Sequence, residues 1–84
     1  MTLYSKRLIY PEGDSQEVEH RLRINQIVDL NGLPLNLPLS TDRMIVYRVY
    51  KITTDTSIGE EVTNYHLELV KRNELREIID RGYI

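Results

Sequence analysis

At 84 residues the chain has room for one small domain and not for two. Its 40% hydrophobic and 29% charged residues are the proportions of a folded chain, which excludes disorder over most of the length, and the absence of cysteine excludes disulfides and thiolate metal sites. Eleven Lys and Arg against 13 Asp and Glu leave a net charge of −2, so the molecule as a whole has no attraction for nucleic acid or an anionic membrane, although a local basic stripe is compatible with that balance.

Stability therefore rests on packing, alone or with a second copy of the chain. Thr2-Leu3-Tyr4-Ser5-Lys6 holds no apolar run of the signal-peptide kind, and no stretch approaches the roughly 18 apolar residues of a membrane span. The expected setting is the cytoplasm, with no membrane partner, and residues 1–84 read as a single globular domain.

Leu3 to Tyr10 mixes β-formers with Lys6 and Arg7 and reads as a strand. Pro11-Glu12-Gly13-Asp14-Ser15 supplies dense turn chemistry. From Val18 to Leu30 the period is two: Val18, Leu22, Ile24, Val28 and Leu30 share one parity, interrupted by His20 and Gln26. Glu19, Arg21, Arg23, Asn25 and Asp29 share the other, with Ile27 the exception. Such alternation predicts a strand with one buried and one wet face.

Asn31-Gly32 follows, a strong signal for a two-residue hairpin turn with positive φ at both central residues. That turn sets Leu30 opposite Leu33, Val28 opposite Leu35, Gln26 opposite Leu37 and Ile24 opposite Leu39. Pro34 and Pro38 then fall opposite Asp29 and Asn25, at sites that exchange no hydrogen bonds, so their missing N–H groups cost the hairpin nothing. The same prolines make Leu33–Leu39 an edge strand. Its alternative is an extended polyproline-like loop whose leucines cover the core.

After Ser40-Thr41-Asp42, Arg43 to Thr54 is the run richest in β-formers. Met44, Val46, Tyr50 and Ile52 lie on one parity and Ile45, Tyr47 and Val49 on the other, a pattern that predicts a central strand covered on both sides. Residues 55–60 read as a loop, and Val62–Val70 as a further strand, paired with the preceding one and burying Thr63, Tyr65, Leu67 and Leu69. Asn73 is a good N-cap for a helix over about 73–81, with Leu75, Ile78 and Ile79 forming its apolar stripe and Gly82 its stop. A helix of under three turns does not survive alone in water and must dock on the sheet.

The expected fold is therefore α+β and mostly β: a small antiparallel sheet, or a partly closed barrel, of four to five strands with one C-terminal helix.

Chemistry is sparse. His20 and His66 are far apart in sequence and lack cysteine or further histidine partners, so no metal or cofactor is expected; His66 and Glu68 share a strand face and pair there as polar neighbours. Ser5, Ser15, Ser40 and Ser57 lack nucleophile-elbow glycines, the four glycines make no phosphate loop, and Glu60-Glu61 reads as solvated charge. No catalytic residue is assigned, and an enzyme is not expected.

Two binding readings stand. One is protein association: a lone helix covers one face of the 43–54 strand, leaving Ile45, Tyr47 and Val49, with Leu35 and Leu37 of the edge, to meet a second copy or another protein. In that reading Tyr83-Ile84 adds a further contact or simply ends the helix docking. The other is single-stranded nucleic acid, held by Arg21 and Arg23 projecting from one strand together with Lys51 and Arg72, and stacked on Tyr47, Tyr50 and Tyr65. Thirteen acidic residues and the absence of an RNA-recognition sequence weigh against the second.

Overall fold

The computed structural model of the chain describes residues 1–35 and 44–81. Expectations placed on Leu37, Pro38, Leu39, Ser40-Thr41-Asp42, Arg43, Gly82 and Tyr83-Ile84 lie outside the described residues. Five strands, β1 (Leu3–Ile9), β2 (Ser15–Val18), β3 (Ile27–Val28), β4 (Tyr47–Ser57) and β5 (Glu60–Leu69), form one sheet in the order β2-β1-β5-β4-β3, followed by helix α1 (Arg72–Arg81). The sheet curls into a half-barrel, and the fold is the expected mostly-β α+β domain with one short helix. It is mixed rather than wholly antiparallel, because β1 runs parallel to β5 in the register Leu8↔Tyr65.

The two tight turns share one geometry. At the β1–β2 connection Tyr10 accepts from the Gly13 N–H (3.0 Å) and donates to Asp14 O (2.9 Å). At 29–33, Asp29 accepts from Gly32 N–H (3.0 Å) and donates to Leu33 O (2.9 Å). Each is a three-residue loop with glycine alone at positive φ, +100° for Gly13 and +82° for Gly32. The expected two-residue turn at Asn31-Gly32 is therefore corrected by one position. Asp29 dictates this, since its Oδ1 accepts from both Asn31 N–H (2.8 Å) and Leu33 N–H (3.0 Å) and rounds the loop.

A one-residue slip exchanges the faces. Val28 now lies opposite Pro34, and Leu35 donates to Ile27 O at 3.1 Å, while Leu30 and Leu33 are exposed instead of facing each other in a core. The proline argument survives the slip: Pro34 still sits at a site that exchanges no bonds, with Val28 in place of Asp29.

The long strand expected over Val18–Leu30 is broken. Residues 19–26 leave the sheet, Leu22 alone of residues 20–26 is buried, and Asn25 takes φ +71°, a conformation asparagine tolerates and a strand does not. Conversely, the loop expected at 55–60 is strand: β4 continues to Ser57 and a two-residue turn, Ile58-Gly59, returns it to β5. Thr53, Thr54 and Thr56 are β-branched and suit that extension.

Two apolar clusters occupy opposite faces. Inside the curl lie Leu8, Tyr10, Val18, Leu22, Val28, Tyr47, Val49, Tyr65 and Leu67. Under the helix lie Ile27, Val46, Val70 and Leu75, with Leu35 and Met44 packed against them. The two residues of β3 thus serve one cluster each. Arg48 ties helix to sheet through Glu68 (2.6 Å) and Glu74 (3.2 Å), and its hydrogen bond to Glu68 raises the guanidinium pKa against the opposing effect of burial.

The helix starts one residue earlier than expected. Val70 N–H is bound to Val46 O (2.9 Å) and Leu75 N–H to Lys71 O (2.9 Å), so α1 begins directly after β5 and Asn73 falls inside its first turn rather than capping it. Tertiary attachment overrides the local capping preference here.

Gly32 is the point where turn and core meet. A Cβ there would collide with Cδ1 of the fully buried Leu8, so that side chain would have to shift within the core.

Candidate interaction site

The sequence placed an interface on Ile45, Tyr47, Val49, Leu35 and Leu37. Tyr47 and Val49 are 6% and 0% exposed inside the curl, which corrects their assignment to a contact surface: the sheet closes on itself over them and needs no partner there. Ile45 is exposed, Leu35 packs against the cluster under the helix, and Leu37 lies outside the described residues.

Of the expected nucleic-acid contacts, Arg21 and Arg23 do not share a strand face, since 19–26 is irregular; Lys51 stands on β4 and Arg72 opens α1. The stacking platform is corrected too: Tyr47 and Tyr65 are buried, and Tyr50 alone of the three is exposed, tilted against His66 with ring centroids 6.3 Å apart.

His66 does not pair with Glu68. Cross-strand neighbours outcompete the neighbour two residues along: His66 Nε2 lies 2.8 Å from Thr53 Oγ1, and Glu68 belongs to Arg48. His20 Nε2 lies 3.0 Å from Gly32 O. Among the described residues no group of His, Cys, Asp and Glu could hold a metal ion.

A cleft of about 260 Å³ opens beside the turns, lined by Tyr10, Glu12, Asp14, Gln16 and Tyr47 among others. Tyr10, Glu12, Gln16 and Tyr47 are hydrogen-bonded within it. Tyr47 donates to Glu12 Oε1 (3.3 Å), Tyr10 lies 3.2 Å from both Gln16 Oε1 and Leu30 O, and Gln16 donates to Asn31 O (3.0 Å). The rings of Tyr10 and Tyr47 meet edge-to-face at 5.1 Å. Burial raises the pKa of both phenols, and nearby charge, that of Glu12 on Tyr47 and of Tyr47, Asp29 and Glu12 on Tyr10, adds to it. These bonds clamp the two turns together.

The remaining feature has no counterpart in the sequence patterning. β4 has β5 along its whole length on one side, but β3 covers the other side only at Tyr47 and Arg48. Just beyond, Val49 donates to Gln26 O (3.0 Å) and accepts from Asn25 N–H (2.8 Å). A bulge between Val49 and Lys51 then resets the strand. From Lys51 to Ser57, no strand among the described residues pairs with that edge.

Which backbone groups face outward follows from the turn. Ser57 and Glu60 flank a two-residue loop, so they exchange hydrogen bonds, as do alternate pairs behind them: Asp55 with Val62, Thr53 with Asn64 and Lys51 with His66. Ile52, Thr54 and Thr56 therefore direct N–H and C=O away from β5, along the open edge. Lys51, Thr53 and Asp55 share the polar face, where Asn64 donates to Asp55 Oδ2 at 2.9 Å.

Five strands in a curled mixed sheet and one docked helix define a small α+β domain, with one long edge of β4 unpaired among the described residues. No helix among the described residues is long and apolar enough to cross a membrane. The chain belongs to the family described as an uncharacterised Treponema protein, whose model matches residues 2–78. No curated protein and no solved structure matches it.

Proposed function

We propose that this protein is a binding module, not an enzyme, and that it self-associates by joining sheets along the open half of β4. The self-association expected from the sequence is kept, and its surface moves from a sheet face and the Leu33–Leu39 edge to the edge of β4. One observation carries the reading. Residues 51–57 form an edge free of proline, with β-branched Ile52, Thr53, Thr54 and Thr56, beside which no described strand lies. An edge of this kind is a template for another strand, and folded proteins that stay monomeric blunt or cover it.

The test separates edge from fold. Thr54→Pro removes an N–H that points away from β5, so the intramolecular ladder is kept while the outer one is broken. Sedimentation over a rising micromolar series is expected to show the wild type above 9.9 kDa and Thr54→Pro at the monomer mass with an unchanged circular dichroism spectrum. A wild type that stays at 9.9 kDa throughout, or a Thr54→Pro variant that associates as well as the wild type, overturns the proposal.

A further inference from the structure

The geometry points to one register: two copies pair antiparallel through β4 about a two-fold axis at Thr53, with Lys51 of each facing the partner's Asp55. This rests on the edge-joining reading and goes beyond it by fixing which residues meet.

Three constraints select the axis. First, only Ile52, Thr54 and Thr56 offer outward backbone groups, so bonded pairs must join even-numbered residues. A two-fold axis therefore passes through a residue and never between two. Second, the available window is bounded. Val49 is already engaged by Asn25 and Gln26, and Ser57 enters the turn at Gly59. Between these limits an axis at Thr53 or at Thr54 pairs outward-facing residues.

Third, charge decides between the two. With the axis at Thr53, Ile52 exchanges bonds with the partner's Thr54, and Thr54 with the partner's Ile52. Lys51 then lies opposite the partner's Asp55 on the polar face, twice by symmetry. Asn64 already orients that carboxylate, donating to Oδ2 at 2.9 Å. An axis at Thr54 would instead set Lys51 against the partner's Ser57 and leave both charges without an opposite. The Thr53 register also carries Ile24, just before Asn25, toward the partner's Ile58. Both are exposed in the single chain, at 51% and 105%.

Because the chain has no cysteine, a single introduced thiol reports the register directly. In an antiparallel pair only the residue on the axis meets its own copy, and there the Cα atoms come within about 4.5 Å, inside disulfide range. Under mild oxidation Thr53→Cys is expected to cross-link to a covalent dimer, and Ile52→Cys and Thr54→Cys to remain largely uncrosslinked.

A charge exchange gives an independent reading. Lys51→Asp and Asp55→Lys each set like charges opposite in a homodimer and are expected to weaken self-association roughly ten-fold. Mixed together they restore both opposite-charge contacts and form the heterodimer. If the wild type dimerises but cross-links at Ile52→Cys or Thr54→Cys, or the mixed variants do not rescue each other, this register is wrong and edge joining stands. If the wild type is monomeric at all concentrations, both fall.

Discussion

The two halves of β4 differ in everything but their backbone. Between Tyr47 and Val49 the strand has β5 on one side and β3 with its flanking residues on the other, and both side chains are buried inside the curl. From Lys51 to Ser57 it keeps β5 alone among the described strands, and every residue there except the half-buried Thr53 is exposed. The change occurs at the bulge between Val49 and Lys51. One strand thus does two jobs: its first half closes the core, and its second half is a sheet margin that the fold leaves unfinished. Stability and the proposed self-association are accordingly separable by position.

The same substitution in each half gives the largest contrast. Val49→Asp places an unpaired carboxylate in a site with no accessible surface and is expected to cost about 4–5 kcal/mol, comparable with the whole stability of a domain this size. Ile52 lies on the same face beyond the bulge, opposite Tyr65, yet is 37% exposed. Ile52→Asp is expected to cost about 1 kcal/mol or less. Urea denaturation at concentrations that keep the chain monomeric measures both. Equal losses would abolish the distinction between the halves.

The closed half is also guarded at a distance by the 29–33 turn. Gly32→Ala must relax against Leu8, which is fully buried, while holding a backbone at φ +82° that L side chains rarely adopt. Overpacking and the left-handed penalty together predict a loss of about 2–4 kcal/mol, seen as a lower denaturation midpoint. A loss under about 0.5 kcal/mol, the range of ordinary surface changes, would show that the turn yields.

How much of this was legible in the sequence depends on the distance between the cause and its effect. β-former content located β1 and β4, alternation located β5, and helical spacing located α1, because each pattern is local. The bulge was not visible: straight parity puts Tyr50 with Ile52, whereas the bulge moves Ile52 onto the face of Val49 and leaves Tyr50 by His66. That reset is why 43–54 looked oily in both directions. At Asn31-Gly32 the dipeptide announced a turn but not its length, which the Asp29 carboxylate sets.

The run 19–26 alternates as a strand does, but Asn25 at positive φ ends any ladder there. The parallel β1–β5 pairing joins strands from opposite ends of the chain, and no short-range signal encodes it. Polarity misled the reading of 55–57 as loop, when threonine β-branching was the better guide to an exposed strand edge.

The smallest effect concerns the clamp that holds the closed half. Tyr10 and Tyr47 have folded-state pKa values raised above the ordinary 10.0, by burial first and then by neighbouring negative charge. A raised phenol favours the neutral form in the fold. Its contribution is therefore complete below the unfolded value near 10 and is lost as pH rises through the raised folded value. Wild-type stability is expected to fall with increasing steepness above pH 10. Tyr47→Phe should lose about 1 kcal/mol at neutral pH, where the hydroxyl donates to Glu12, and then decline less steeply in alkali because one of the two titrating phenols is gone. Urea midpoints from pH 8 to 11 for both proteins decide it, and parallel curves would mean that the Tyr47 phenol ionises as freely in the fold as outside it.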